Sequence, residues 1–262
     1  MGAWVPTDVS TVAWVDASDT SSYTVSGSNL TSVTDKAGTY STLTINGTPT
    51  RVIAGRNSLN TFDFNGSESI VSSTFEAQVS SGNHWAIGVF RPDSVNSNKD
   101  SLWSFETNGS PVRDYAMSAG STGSWPGELD LDGLSSKRIS STIGNLQTWD
   151  LQSLSLGSWA LVVAIFNKTG NQISCRVNGS YAFTPVNDYD NSVQTNQQLR
   201  LMRNRGGQSL DGQMAEFFSV ADLPGTGGTD ITDVEKAEGY LAWKWGLNGL
   251  LPSGHPYKNS PP

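Results

Sequence analysis

The residues in this sequence best suited to chemistry are acidic side chains at alternate positions. Trp125 to Asp132 reads WPGELDLD, and the two-residue period of a strand puts Glu128, Asp130 and Asp132 on one face, with Leu129 and Leu131 on the other. Carboxyl groups side by side can divide labour, one protonating a leaving oxygen while its neighbour stays ionised. A plainer reading is the acidic outer face of an edge strand ending in the turn Asp132-Gly133, with the leucines packed inward. A third gives Trp125, Glu128 and Asp130 a ligand-binding role, the ring stacking on a sugar and the carboxylates bonding its hydroxyls.

Other chemistry is poorly represented. His84 and His255 are the only histidines, and neither has a neighbour at metal-ligand spacing. Asp188 and Asp190 sit in an oxygen-rich loop with Asn187 and Asn191, a weak calcium candidate without the regular spacing of a calcium loop; otherwise no cofactor is expected. Gly206-Gly207 and Gly227-Gly228 lack the Lys-Ser/Thr that completes a phosphate loop, and no G-x-S-x-G elbow occurs. Cys175 is the single cysteine, in an alternating run that suits a buried thiol.

The elements that must hold these residues read as strands. Short β-prone runs separated by Gly, Ser, Asn and Asp recur at 11–15, 42–45, 61–64, 84–90, 101–106, 172–177, 180–184, 199–202 and 214–220. Residues 159–166, WALVVAIF, are almost continuously apolar, as in a central strand covered on both faces. Asn178-Gly179 suits a two-residue hairpin turn. One segment breaks the pattern. Thr232 and Glu235 have capping-box spacing, which predicts a helix starting near Asp233. Val234, Ala237, Leu241 and Trp245 form its apolar stripe, Lys236 and Lys244 lie away from it, and Gly246 suits a left-handed cap. The expectation is one all-β domain over residues 1–262, closed by a helix and tail at about 232–258.

Charged residues are only 15% of the 262, and the net charge of -8 repels phosphate backbones, so nucleic acid is not an expected partner. No apolar run is long enough for a membrane span, and the N-terminus does not read as a secretory signal.

Three stretches together resemble LamG-like, concanavalin A-like lectin and glucanase jelly-roll domains, found in bacteriophage virion proteins and bacterial surface proteins. They are WVDASDTSSYTVSGSNLTSVTDKAGT, TFDFNGSES, and GQMAEFFSVADLP followed by EKAEGYLAWKWGLNGLLPSGHPYK. The resemblance implies two antiparallel sheets packed face to face with one C-terminal helix. It marks Tyr240, Trp243, Trp245, His255, Pro256 and Tyr257, whose spacing suits wedging the helix and tail onto the sandwich. WPGELDLD is similar to the catalytic strand of family 16 glycoside hydrolases, which implies Glu128 as nucleophile, Asp130 as its orienting partner and Asp132 as general acid/base. A retaining mechanism of that kind needs its two carboxyl groups roughly 5 Å apart. Asp132 is one methylene shorter than the family's Glu.

From this family context the expected function is a non-catalytic virion structural or attachment protein: a capsid decoration, tail or fibre-associated domain assembled in the host cytoplasm. Its expected partners are other virion proteins and cell-surface polysaccharide, with a homo-oligomer left open. The alternatives are a family 16-like hydrolase of a β-glucan or marine polysaccharide, and a bacterial surface adhesion module.

Overall fold

The computed structural model describes residues 3–40, 42–72, 83–94, 100–107, 114–119, 129–132, 154–167, 172–182, 186–187, 197–203, 207, 209–222, 225 and 230–262. Among them are seventeen strands. They are β1 (Thr11–Asp16), β2 (Tyr23–Ser26), β3 (Asn29–Val33), β4 (Leu43–Asn46), β5 (Thr50–Arg56), β6 (Leu59–Asn65), β7 (Ser69–Ser72), β8 (His84–Ser94) and β9 (Asp100–Thr107). There follow β10 (Asp114–Ala119), β11 (Leu129–Asp132), β12 (Ala160–Asn167), β13 (Gln172–Val177), β14 (Ser180–Tyr181), β15 (Val186–Asn187), β16 (Gln197–Leu201) and β17 (Asp211–Val220). One helix, α1 (Thr232–Lys244), follows the last strand.

The ladder is antiparallel and folds into two layers. In the first sheet β17 lies between β8 and a second edge shared by β6 at Asp211–Met214 and β1 at Glu216–Val220; β8 continues through β12 to β13. The second sheet runs β2, β3, β4, β7, β16, β9, β10, β11. The β5–β6 hairpin joins the layers, since β5 touches β3 at Asn29 and Thr50. This is an all-β jelly-roll sandwich with one C-terminal helix.

The near-continuous apolar run is explained by two cores. Ala160, Val162, Ala164 and Phe166 of β12 face the second sheet, and Leu161, Val163 and Ile165 face the helix. β8 alternates likewise, with Phe90 inward and Trp85, Ile87 and Val89 outward. Between the layers, Trp103 stacks with Phe90 at 5.6 Å and lies 5.5 Å from Phe217. On the other side Val234, Ala237, Leu241 and Trp245 bury the α1 stripe on the first sheet.

Asn178 and Gly179 have φ of 50° and 81°, as the hairpin turn requires. Gly246, φ 64°, ends α1 in a Schellman turn: Leu247 N–H donates to Ala242 O at 2.7 Å and Gly246 N–H to Trp243 O at 3.4 Å. The capping box does not form. Thr232 is the first helical residue, and its N–H and hydroxyl both donate to Asp230 Oδ1, at 2.9 and 2.5 Å. Lys244 is a second correction, since it folds back onto buried carboxylates. Cys175 is a buried thiol, pushed well above its ordinary pKa by desolvation. No helix among the described residues is long and apolar enough to cross a membrane.

Candidate functional site

Cross-strand register assigns the acidic strand its sheet. In β9, Trp103 and Phe105 belong to the inter-sheet core. Trp103 pairs with Met117, and Met117 with Leu131. One step along, the backbone register runs through Asp132, Ala116, Ser104, Arg200, Val71 and Thr44. A neighbouring register row runs through Asp114, Glu106 and Gln198. Asp130 pairs with Ser118, two residues from Asp132. Trp125 and Glu128, and the calcium candidates Asp188 and Asp190, lie outside the described residues.

Arg200 is half-buried in the row beside Ser104 and donates to Gln198 Oε1 at 2.7 Å. Gln198 in turn donates to Ser72 O at 2.6 Å, which fixes both planar groups. Neither residue was singled out in the sequence, although Q-Q-L-R-L alternates polar and apolar as clearly as E-L-D-L-D. Asp130 and Asp132 stand about 7 Å apart along the strand, and Asp114 is Asp132's diagonal neighbour at roughly 7–8 Å. A row of carboxylates beside a guanidinium can hold sugar hydroxyls and exchange protons with a glycosidic oxygen.

The closing segment also brings acids and bases together, but in the interior. Glu216 is fully buried and accepts from Trp14 Nε1 (2.9 Å), Trp245 Nε1 (2.9 Å), the Tyr240 hydroxyl (3.1 Å) and Lys244 Nζ (2.7 Å). Lys244 reaches on to Asp16 Oδ2 at 2.9 Å, and Asp16 also binds Lys36 at 3.1 Å. Burial, with repulsion from Asp16, raises the Glu216 pKa against the pull of Lys244. Burial would raise Asp16 too, but Lys244, Ser18 and Lys36 outweigh it and leave its pKa lowered. A second knot has Arg176 donating twice to Glu238, at 2.8 and 2.9 Å, with His255 Nε2 3.0 Å from the same carboxylate. Trp243 Nε1 donates to Tyr257 O at 2.9 Å. Glu216 and Glu238, at the centres of the two knots, are fully buried. The marked residues of the closing segment therefore hold the helix and tail, as their spacing suggested. His84 is buried and stacked on Phe166 at 4.4 Å. No group of metal-ligating residues gathers among the described residues.

No family model matches the chain, and no curated protein matches it. Solved structures do match by fold. Domain 4 of AbnA, a GH43 extracellular arabinanase from Geobacillus stearothermophilus in complex with arabinotriose, is similar with a TM-score of 0.57 at 15% identity, over 86% of this chain and 97% of that one. Trypanosoma rangeli sialidase gives 0.55 at 13%, over 89% of this chain, which spans about one third of the sialidase, 33%. A GH54 α-L-arabinofuranosidase gives 0.52 at 9%, over 75% and 48%. At such identities the shared property is a β-sandwich fold.

These matches correct two expectations, that the chain is a non-catalytic bacteriophage virion protein and that it is not an enzyme. The similar structures come from carbohydrate-active enzymes. The virion expectation drew on family context, and a fold is shared across functions.

Proposed function

We propose that this chain is a glycan-engaging domain of a glycoside hydrolase, with the outer face of the second sheet as its polysaccharide surface. The supporting observation is the backbone register, in which position 132 aligns with Arg200 and position 114 with 106 and 198. The fold it shares with an arabinanase domain and with glycosidases supports the same reading. In this proposal Asp132 protonates the glycosidic oxygen, Glu128 attacks the anomeric carbon, and Asp130 orients Glu128. Water then releases the sugar from Glu128 while Asp132 takes up its proton. Arg200 and Gln198 bind hydroxyls beside the scissile bond. The net charge of -8 favours a neutral polysaccharide, and arabinan is the first substrate to try.

Reducing-sugar release from arabinan, laminarin, agarose and carrageenan tests the proposal. Turnover of at least one is expected, and Asp132→Asn or Glu128→Gln should lower it by about 10²-fold or more. Full turnover by Asp132→Asn, or no release from any of the four, would overturn it.

A further inference from the structure

The first sheet carries a second polar and aromatic strip, beyond the end of α1, on the side opposite the proposed polysaccharide surface. We infer that it is a separate binding site for a neutral oligosaccharide, stacked on Trp159. The proposal shares with the preceding one only the expectation that the chain meets glycan.

Trp159 directly precedes β12, and Ala160 pairs with Phe90, so the indole stands beside Arg91. The guanidinium lies 5.8 Å from the ring centroid. Arg91 pairs with Gln213, and Gln213 with Asp63, which continues the strip across four strands. Phe62, Phe64, Phe90 and Met214, the alternate residues, all belong to the inter-sheet core, so the strip lies on the outer face. Asp93 holds the guanidinium in a two-bond grip at 2.7 and 2.6 Å.

At its Trp159 end the strip opens into a cleft of about 400 Å³, within the roughly 300–1,000 Å³ of small-ligand sites. The facing wall is Gly246, Leu247, Gly249 and Leu250. Arg56 fixes that wall, donating through Nε to Trp245 O at 2.9 Å and through Nη2 to Gly246 O at 2.6 Å. Its Nη1 group has no protein partner among the described residues, and nor does the Trp159 indole N–H. Both residues line the cleft.

These are the parts a sugar needs: a half-buried indole for the apolar ring face, a leucine beside it, and donors and acceptors around the rim for hydroxyls. Asp93 neutralises Arg91, and Asp63 adds a further carboxyl to the strip, so the strip has no net positive charge, while Arg56 is the one charged residue lining the cleft itself. A neutral pentose or hexose needs no counter-charge at either place.

The test is isothermal titration of the whole chain with arabinotriose and with laminaritriose. Two variants address the cleft. Trp159→Ala removes the platform, and Gly249→Phe blocks the mouth without crowding, because a Cβ at Gly249 meets nothing within 4 Å. Each should weaken trisaccharide binding about tenfold or more, while Lys236→Met, at a partly exposed position of α1 that does not line the cleft, leaves it unchanged. Wild-type affinity in Gly249→Phe, or no binding of either trisaccharide by the wild type, would overturn the inference. Loss of binding in both cleft variants, in a chain that releases no reducing sugar, would uphold this site and defeat only the sheet-face hydrolase.

Discussion

Replacing Lys244 by Met keeps the aliphatic stem and removes the charge shared by Asp16 and Glu216. The ammonium lies 2.9 and 2.7 Å from those carboxylates, whose side chains are 4% and 0% exposed. Removing one partner of a buried ion pair costs about 3–5 kcal/mol, because the charge left behind stays desolvated. The lower part of that range is expected: Lys244 keeps 19% exposure, and Trp14, Trp245 and Tyr240 still donate to Glu216. For a chain of this size each kcal/mol shifts Tm by roughly 2–4 °C, so the variant should melt about 6–15 °C lower. Lys36→Met is the control. Lys36 touches Asp16 at 3.1 Å and the more exposed Asp19 at 2.7 Å, and lies 4.0 Å over the Trp14 ring. Exposed pairs and cation–π contacts contribute about 1 kcal/mol each at most, so its loss should be about 1–2 kcal/mol. Thermal and urea denaturation followed by circular dichroism give both values. A Lys244→Met loss no larger than that of Lys36→Met would refute the reasoning.

Two further outcomes follow from the same framework. Gly239→Ala should destabilise despite the better helix propensity of Ala, worth about 1 kcal/mol, because the new Cβ would lie 2.6 Å from Tyr257 Cβ; an unchanged or higher urea midpoint contradicts this. Stability should peak in mildly acidic solution. Glu216, Asp35 and Asp63 are raised, chiefly by burial, so the folded chain takes up protons first as pH falls toward 4.5, and the stability this adds is lost as pH rises through the folded pKa values. Asp19 is held at about 2 by Lys36 and Ser21, and Asp16 is lowered, so below 3.8 the unfolded chain protonates first and stability falls. A Tm that drops steadily from pH 7 to pH 4 would contradict that order.

What was legible in the sequence was local. The 159–166 run and the Asn178-Gly179 turn carry their geometry in neighbouring residues, and both are present. β2, β3, β5 and β7 escaped notice because Ser and Thr blur their patterns: every residue of β5 is at least partly exposed, and every residue of β7 is buried. The capping box was a fair reading of Thr232 and Glu235, but Asp230, just upstream, took the hydroxyl instead. Lys244 reads as a solvent residue on a helical wheel, yet its partners lie 28 and 228 positions away. The candidate site divides the same way. Alternation separated Asp130 and Asp132 from the leucines in sequence, but only the pairing of β11 with β10 and of β10 with β9 says which sheet the strand joins. The Trp159 strip had no local sign, because Arg91, Gln213 and Asp63 meet only through ladder register.

The cover that α1 gives the first sheet has a consequence for biosynthesis. Trp14, Trp85, Ile87, Val163 and Phe218 share one outer face, and the helix that shields it is made after all of them. At roughly 5–20 residues per second of translation, the 26 residues that follow Phe218 as far as Lys244 leave this apolar sheet uncovered for about 1–5 seconds. A frameshift near Ile231 would release an aggregating product rather than a merely weakened one, because the same strands would be left with no lid to wait for.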